Sequence, residues 1–278
     1  MSLTNKALFV IERNLASNLS LDGIAAACNV SRFTLSHAFG EATGKSVMDY
    51  VRGRRLSKAA ESLAEGADDI LSLALETGYA SHEAFTRAFR AQFGKTPEDV
   101  RAGKSVAIVK LVSQLSDVKS VPVTLAAPHF ERTGPLVFVG LAAAYFYGTT
   151  EQIAPQGQRF MRDFYPNIPN RADGPPVGIS ARDTEGDNFT YICAAEVSAF
   201  GTIPKGLTKM TLARSLYAVF PHDSHVTQLN QTYAAIWDEW IPSSGKQPAE
   251  APSLQRHNAT FDPRTGNGGV TVWIPIEG

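Results

Sequence analysis

Residues 81–89 read SHEAFTRAF, and this stretch decides how the first third of the chain folds. Phe85 and Phe89 lie four positions apart and Phe93 follows at the same interval, so the phenylalanines fall on one face of a helix. The remaining face carries side chains that donate or accept hydrogen bonds: His82, Glu83, Thr86, Arg87 and Arg90. The stretch therefore predicts an amphipathic helix with one packed face and one polar face.

A tight turn precedes this helix. Gly78 can adopt the backbone conformation that turns the chain, and the hydroxyl of Ser81 can cap the new helix. A short helix is predicted before the turn, from about Asp69 to Thr77. A helix, a tight turn and a capped helix form a common DNA-reading unit, and they equally form an ordinary helical hairpin.

The same unit occurs a second time in the first half of the chain. Residues 21–46, LDGIAAACNVSRFTLSHAFGEATGKS, align with residues 70–97, ILSLALETGYASHEAFTRAFRAQFGKTP. Ser31 is the predicted cap of the earlier polar helix, and a long helix from about Val47 to Glu65 is predicted between the units. The inward stripe of the earlier helix is formed by Phe33, Leu35 and Phe39. Because a packed hairpin does not need two exposed polar helices, the repeat favours DNA binding.

The first hundred residues resemble the AraC/XylS family of transcription regulators. The family pattern at the second unit is matched by Leu73, Ala74, Gly78, Tyr79, Ser81, Phe85, Arg87, Phe89, Phe93, Gly94, Thr96 and Pro97. The first unit departs from the pattern, with Asn29-Val30 where glycine and an aromatic residue are usual. Because asparagine tolerates the left-handed conformation, we expect this turn to survive.

This resemblance implies that two recognition helices enter successive major-groove segments of double-stranded DNA. Arg32 and Arg87 would suit guanine edges, and Glu83 would suit the amino group of cytosine. Two alternatives to base reading stay open: Phe33 could instead belong to the core, and Arg87 could instead pair with Glu83 along the helix. The base-reading positions that carry over are Arg32, Phe33, Ser36 and His37 in the first helix, and His82, Glu83, Thr86 and Arg87 in the second.

Phosphate contacts need a local cluster of positive charge, because the net charge of the chain is only −1. The sequence RGRR at positions 52–55 supplies one. Its arginines are candidate phosphate contacts, or else they form a solvated helix face. The candidates for DNA contact outside the base-reading set are Arg52, Arg54, Arg55 and Arg90.

Composition limits the class of protein. With 278 residues, 44% of them hydrophobic and 19% charged, the chain is long enough for two globular domains. No apolar run approaches a membrane span, and the N-terminus reads as an amphipathic helix instead of a secretion signal. The two cysteines, Cys28 and Cys193, lie far apart and fit a reduced, cytoplasmic protein with no metal site and no cofactor.

The chain changes character near residue 105, where β-branched runs replace helical patterns. We expect a DNA-binding domain at 1–105, a linker at 106–121 and a second domain at 122–278. Gly103–Ser105 is the expected hinge. Whether the run VAIVKLV that follows is a strand or part of the connection stays open.

The second half repeats a strand-helix-strand-strand pattern. Its second helix is predicted from Ser224, which would cap it, to Trp240, with Ile241-Pro242 ending it. The stretches LYAVFPHDSH, TYAAIWDEWIPSSG and FDPRTGNGGVTVWIPIE resemble the GyrI-like small-molecule-binding domain. The predicted fold class is thus α + α/β with two domains: an all-α double helix-turn-helix domain, then an α+β domain of two pseudo-twofold units.

Domains of this kind are expected to hold cationic effectors with aromatic walls and buried acidic residues. Here Thr271 stands where a glutamate is usual, and Gln255 and His257 replace an acidic-aromatic pair. Glu196 is the remaining acidic candidate, or else a solvated surface residue. We therefore expect a neutral or weakly charged effector. The candidate wall residues, each of which could instead be core, are Tyr145, Phe146, Tyr147, Phe164, Tyr191, Phe200, Tyr217, Trp237 and Trp273.

These features favour a ligand-responsive transcription regulator that is not an enzyme, with DNA, a small-molecule effector and RNA polymerase as partners and no membrane partner. One alternative is a DNA-binding protein whose second domain docks a protein. Another is hydrolysis of a small ligand, with Glu196 as a base near Tyr191, or with the histidines of the HDSH run at 222–225. No catalytic motif supports that second alternative.

Overall fold

The computed structural model describes residues 1–67, 69–115, 118, 123–146, 152–182, 188–262 and 265–278, without the side chains of Arg182 and Asn188. The chain forms two compact units, and the first reaches Val118 along the chain, although residues 37–45 are grouped with the second. The first unit is helical and the second is built on an antiparallel sheet. No helix among the described residues is long and apolar enough to cross a membrane.

The helical unit contains two helix-turn-helix pairs on either side of a long helix, as the repeat predicts. The turns are left-handed at Asn29 (φ 58°) and Gly78 (φ +87°), so the predicted turn conformation at Asn29 is confirmed. The Ser31 hydroxyl accepts from Thr34 N at 3.1 Å, and the Ser81 hydroxyl accepts from Ala84 N at 3.2 Å. The helices are α1 Leu3–Arg13, α2 Leu21–Ala27, α3 Arg32–Thr43, α4 Val47–Ala64, α5 Ile70–Glu76, α6 His82–Phe93 and α7 Pro97–Gly103.

The phenylalanine stripe of α6 packs as the spacing predicts. Phe85 and Phe89 are fully buried, with ring centroids 5.5 Å apart, and Phe93 lies 4.7 Å from Phe89. In α3, Leu35 and Phe39 are buried. Phe33 is only half-buried, so it is the weak member of its stripe.

Residues 105–115 and 118, which we call the α4 strap, are held against the helical unit. Val112 N donates to Ser57 Oγ at 2.8 Å, and Leu115 N donates to the Tyr50 hydroxyl at 3.0 Å. A Cβ at Gly53 would lie 2.8 Å from Val112, so only glycine lets the strap approach α4 this closely. The strap contains no helix or strand, which answers the question that VAIVKLV leaves open.

The structure contradicts a hinge at Gly103–Ser105. Val106, Val109 and Leu111, which follow directly, pack on the core of the helical unit. The strap is also tied to helix α1 by Asn5, whose side chain exchanges two hydrogen bonds with the backbone of Val118. The chain therefore stays bound to the helical unit well beyond residue 105.

The described residues of the second unit form an eight-stranded antiparallel sheet. Its strands are β1 His129–Arg132, β2 Leu136–Phe146, β3 Val177–Arg182, β4 Asn188–Glu196, β5 Thr208–Leu212, β6 Leu216–His222, β7 Ser253–His257 and β8 Val270–Ile276. They lie in the order β1-β6-β8-β7-β3-β4-β2-β5. Exchanging β1–β4 with β5–β8 gives the same order read backwards, so a pseudo-twofold axis passes between β3 and β7. The first strand of each repeat pairs with the other repeat, because β1 pairs with β6 and β5 pairs with β2.

The two faces of the sheet have separate apolar clusters. The helical face carries Leu141, Tyr191 and Gln255 and packs against helix α8 (Ile153–Asp163) and the second helix of the unit. The opposite face is lined by a continuous cluster that crosses the strands: Phe138, Val177, Ile179, Ile192, Ala194, Leu212, Tyr217, Val219, Leu254 and Trp273.

The second helix differs from the prediction at both ends. It opens with a 3₁₀ turn, Val226–Gln228, in which the His225 ring, not Ser224, accepts from Thr227 N. Helix α9 then spans Leu229–Ala235. Pro242 does not end the helix, because Ile236–Trp240 adopt a π-helix in which Ile241 N bonds five residues back to Ile236 O. A last turn, α10 Ile241–Ser244, stops at Gly245 with φ 69°.

Candidate DNA interface and effector site

The polar face of α6 is arranged around its N-terminus. Hydrogen bonds from its own backbone N–H and from Ser81 hold the pKa of Glu83 below its ordinary value. His82 Nε2 lies 3.1 Å from a carboxylate oxygen of Glu98, with both side chains about half exposed. Arg87 and Arg90 are exposed further along the helix. Of the predicted base-reading residues of α6, His82, Glu83 and Arg87 thus have accessible side chains.

Thr86 is the exception on this surface. Its hydroxyl oxygen is buried and has no hydrogen-bond partner in the described part of the chain, although the residue as a whole is partly exposed. The exposed part of Thr86 is therefore not its hydroxyl. A hydrogen bond from Thr86 to a base edge, as the resemblance implies, does not fit this geometry, whereas an apolar contact does.

In α3 the four predicted base-reading residues are not equally accessible. Arg32 is exposed at the first position of the helix, and Phe33 and Ser36 are half-buried. His37 follows Ser36 and is buried. Arg32 is therefore the most accessible base-reading candidate in this helix.

The arginine cluster at 52–55 is split by the helix. Arg54 points inward: its Nε and Nη2 donate to the two carboxylate oxygens of Glu12 at 2.9 and 3.1 Å, and its Nη1 donates to Val112 O at 2.9 Å. Arg55 is half-buried and donates to the carbonyls of Leu15 and Ser17. A phosphate role for Arg54 is wrong, because its guanidinium is already used inside the unit.

Arg52 is the exposed member of this cluster. It pairs with Asp49 at 2.6 Å, three residues earlier on α4, and its side chain is 51% exposed. A surface pair of this kind is weak enough to open for a phosphate. Phosphate contact therefore stays a prediction for Arg52.

The predicted effector residues do not lie on one surface. Strand register places Tyr145 and Tyr191 on the helical face, and Phe164 and Trp237 belong to its helices. Glu196, Tyr217, Thr271 and Trp273 lie on the opposite face. Tyr147 lies outside the described residues. A base-catalysed role for Glu196 beside Tyr191 is wrong, because strand β4 directs the two side chains to opposite faces.

Several of the predicted wall residues are structural. The Tyr145 hydroxyl donates to the side-chain oxygen of Gln156 at 2.6 Å, and Gln156 in turn donates to Leu141 O and Tyr191 O. This buried chain fixes α8 to the sheet. Phe164 caps the C-terminus of α8 and Trp237 is buried in the π-helical segment. Phe146 and Phe200 are exposed.

A line of neutral polar groups crosses the helical face at the pseudo-twofold axis. The Tyr191 hydroxyl donates to Gln255 Oε1 at 2.8 Å, and Gln255 Nε2 donates to the Tyr233 hydroxyl at 3.2 Å. Gly178 lies opposite Gln255 in the strand pair, where a Cβ would collide with the Tyr191 hydroxyl. We call Gly178, Tyr191, Tyr233 and Gln255 the axial floor.

Burial shifts the pKa of Tyr191 and the pKa of the neighbouring His257 in the directions that favour their uncharged forms. Burial raises the pKa of Tyr191 well above its ordinary value of 10, so its hydroxyl remains a donor. Burial lowers the pKa of His257, two residues beyond Gln255, below 6.5, although a hydrogen bond to Pro176 O opposes this. The His257 ring packs on Phe261 with centroids 4.2 Å apart. The residues that replace the expected acidic-aromatic pair thus give an uncharged surface.

The opposite face carries a charged cluster. Arg256 Nη2 donates to Glu196 Oε2 at 2.9 Å, and its guanidinium carbon lies 5.2 Å from the centre of the Trp273 ring. Thr271 accepts from the Trp273 indole N–H at 2.9 Å and donates to Arg256 O. The Tyr217 ring meets Trp273 edge-on at 5.7 Å. Glu196 is therefore not an unpaired carboxylate.

Gly178 and Arg256 were not predicted as site residues, and Tyr233 was predicted only to lie on the apolar face of its helix. The period-two alternation of β7 was the available signal, because it separates Arg256 from Gln255. The histidines at 222–225 are structural: His222 is buried and bonds Thr232 Oγ1 at 2.8 Å. Among the described residues no group of acidic, histidine and cysteine side chains could hold a metal ion.

Comparison with known proteins agrees with this division of the chain. The helix-turn-helix domain model matches residues 24–103, and the model of an integron-associated effector binding protein matches residues 141–276. Two relatives match almost end to end. The right origin-binding protein of Escherichia coli K12 is 26% identical, and the transcriptional regulator Rob of Salmonella typhimurium is 25% identical, each over 95% of this chain and 93% of the relative. Regulatory protein SoxS of Escherichia coli K12 is 35% identical over 33% of this chain and 85% of SoxS.

The two matches define a DNA-binding transcription regulator with an effector-binding domain. The chain belongs to the AraC-type regulators, and its sheet unit is a GyrI-like effector-binding domain. The predicted family and fold class are confirmed.

Proposed function

We propose that this regulator responds to a neutral or weakly charged, partly aromatic effector that binds on the axial floor and changes how the helical unit engages DNA or RNA polymerase. The observation that carries this proposal is the Tyr191–Gln255–Tyr233 chain. It offers hydroxyl and amide groups for orientation and no formal charge.

The charge of the floor limits the effector. A cation moved from water to this surface would lose hydration without gaining a carboxylate partner there, and that cost is several kcal/mol for a poorly compensated ion, on the order of a thousandfold in affinity. A neutral aromatic molecule pays no such penalty and can use the tyrosine rings and the amide. The floor therefore supports an uncharged ligand.

Access supports the same position. Tyr191 and Tyr233 are buried, whereas Gln255 is only partly buried, so solvent reaches the floor at the Gln255 amide. Gln156 of α8 donates to Tyr191 O and Tyr233 of α9 accepts from Gln255, so both helices border the floor. A few fixed polar groups among apolar and aromatic side chains are the usual lining of a small-molecule site.

DNA would be read by the exposed residues of the two recognition helices. Arg32 on α3 and Arg87 on α6 are the strongest candidates for base edges, with Glu83, His82, Phe33 and Ser36 beside them. Arg52 and Arg90 would add phosphate contacts. An effector changes DNA affinity only if it binds two conformations of the regulator unequally.

The test uses the full chain and DNA selected from a random library. Fluorescence anisotropy gives the dissociation constant for DNA with and without each neutral aromatic compound that raises the unfolding temperature. We expect at least one compound to change DNA affinity about fivefold or more. In Gln255→Met the same change in DNA affinity should need about tenfold more compound, because the amide that would hydrogen-bond the effector is lost. Gln247→Met, the same change at an exposed position, should behave as wild type. If bound compounds leave DNA affinity unchanged, the proposed regulation is wrong.

A further inference from the structure

The Arg256 guanidinium lies where the opposite face of the sheet would attract a positively charged ligand. It faces the Trp273 ring at 5.2 Å and bonds the Glu196 carboxylate at 2.9 Å. The side chains of Arg256 and Glu196 are 26% and 31% exposed, so solvent reaches the cluster. Tyr217 packs edge-on against Trp273 and holds the ring in place.

A carboxylate beside an indole ring is a combination that binds organic cations, because the ring face and the carboxylate both attract positive charge. In this protein the Arg256 side chain makes both interactions. Because Arg256 is covalently attached, it loses far less translational freedom than a soluble cation would on binding. A soluble cation therefore has to displace a tethered competitor.

The way in which Arg256 is bonded argues against a purely structural role. Arg54, which is structural, makes three hydrogen bonds in a buried position. Arg256 makes one bond to Glu196 through Nη2, and its Nε is buried without an acceptor among the described residues. A single, partly exposed ion pair contributes little to folding, so the face should keep its structure when Arg256 is replaced.

We propose that Arg256 determines the charge specificity of the effector-binding domain, by occupying the Glu196–Trp273 site as a tethered cation and thereby excluding soluble organic cations from the opposite face. This inference rests on the proposed function, because it states which class of ligand the effector-binding domain does not bind. The carboxylate of Glu196 and the ring of Trp273 form a cation site that Arg256 masks.

The test compares the full-length wild type with Arg256→Gln and with the double variant Arg256→Gln/Glu196→Gln. The probe is phenyltrimethylammonium, and tert-butylbenzene is its neutral isostere. Binding is followed by titration calorimetry and by tryptophan fluorescence. We expect Arg256→Gln to bind the cation about tenfold or more tightly than wild type, with no comparable change for the isostere. The double variant should lose this gain, because the carboxylate is gone.

The inference is overturned if folded Arg256→Gln binds the cation no more tightly than the wild type. It is also overturned if the double variant keeps the increased affinity for the cation. Far-UV circular dichroism establishes folding, and Arg256→Met, which keeps the aliphatic stem over Trp273, replaces Arg256→Gln if that variant does not fold. If Arg256→Gln does not bind the cation more tightly but neutral compounds still change DNA affinity, only the role of Arg256 is rejected. If Arg256→Gln binds the cation more tightly but neutral compounds leave DNA affinity unchanged, only the proposed regulation is rejected.

Discussion

Glu12 on α1 and Arg54 on α4 form a two-point ion pair inside the helical unit, with hydrogen bonds of 2.9 and 3.1 Å and side chains only 11% and 8% exposed. The Tyr50 hydroxyl donates to the same carboxylate at 2.7 Å. Arg54 and Tyr50 also bond the α4 strap, at Val112 O and Leu115 N. One buried polar cluster thus joins α1, α4 and the segment that leads out of the DNA-binding unit.

Removal of one partner of this pair should destabilise the helical unit strongly. Arg54→Ala leaves the Glu12 carboxylate buried without its counter-ion, and we expect the free energy of unfolding to fall by about 3–5 kcal/mol. Urea unfolding followed by circular dichroism at 222 nm measures this in the full chain. Tryptophan fluorescence follows the sheet unit separately, because all three tryptophans (Trp237, Trp240 and Trp273) lie there.

The matched control is Arg52→Ala, two residues away on the same helix. Its pair with Asp49 is exposed, so the expected loss is below about 1 kcal/mol. Equal losses for the two variants would contradict the assignment of Arg54 as a buried brace.

The same pair predicts an acid-sensitive helical unit. Burial alone would raise the pKa of Glu12, but hydrogen bonds from Arg54 and Tyr50 and the charge of Arg54 outweigh it and bring the pKa below 4.5. A carboxyl whose pKa is lower in the folded state stabilises fully above pH 4.5, and this stabilisation is lost as the pH falls through the folded pKa. Between pH 7 and pH 3 the free energy of unfolding should fall more steeply in the wild type than in Glu12→Gln. Parallel curves would show that Glu12 does not carry the dependence.

Gly53 should resist a substitution that normally stabilises helices. An alanine in a helix interior gains roughly 0.5–1 kcal/mol over glycine. At position 53 the added Cβ would meet Val112 at 2.8 Å, so Gly53→Ala should instead destabilise by about 1–3 kcal/mol through overpacking. The second change Val112→Ala should recover most of this loss in a double-mutant cycle. A stabilised Gly53→Ala would mean that the strap does not lie against α4.

The two exposed recognition arginines should carry sequence specificity. Arg32→Ala and Arg87→Ala should each weaken binding to selected DNA by about 1–3 kcal/mol and relax the preference at a different base position. Selection from a random library with each variant identifies those positions. Arg162→Ala, on α8 of the sheet unit, is the charge-matched control and should leave binding unchanged. A loss that is uniform over all sequences would assign Arg32 or Arg87 to phosphate instead of bases.

Local features of the helical unit could be predicted from the sequence because they depend on neighbours in the chain. The phenylalanine interval in α6, the serine caps and the left-handed Asn29 are set within a few residues. The roles of Arg52 and Arg54 were not predictable in this way. They are two residues apart, which places them on different sides of a helix, and the partner of Arg54 lies on α1.

The effector site shows a similar limit. Strand alternation alone separates Tyr191 from Glu196, since an odd interval on one strand reverses the face, and this signal was present in the sequence. The contacts of Arg256 with Glu196 and of Gln255 with Tyr191 required the strand order, because β7 and β4 lie on either side of β3. The exchange of β1 and β5 between the repeats also left no local trace in the sequence.

The central claim is that the axial floor selects effectors by its lack of charge, and Gln255→Glu tests it most directly. Thermal-shift titrations of the full-length wild type and of Gln255→Glu, against paired libraries of cationic aromatic compounds and their neutral isosteres, measure the preference of each protein. A ligand at 100 times its dissociation constant stabilises by roughly 2.7 kcal/mol, so binding is readily detected. We predict that the wild type responds to neutral members and that the variant, with a carboxylate between two tyrosine hydroxyls, shifts about tenfold or more towards cations. A wild type that prefers cations, or a variant whose preference is unchanged, would contradict the account.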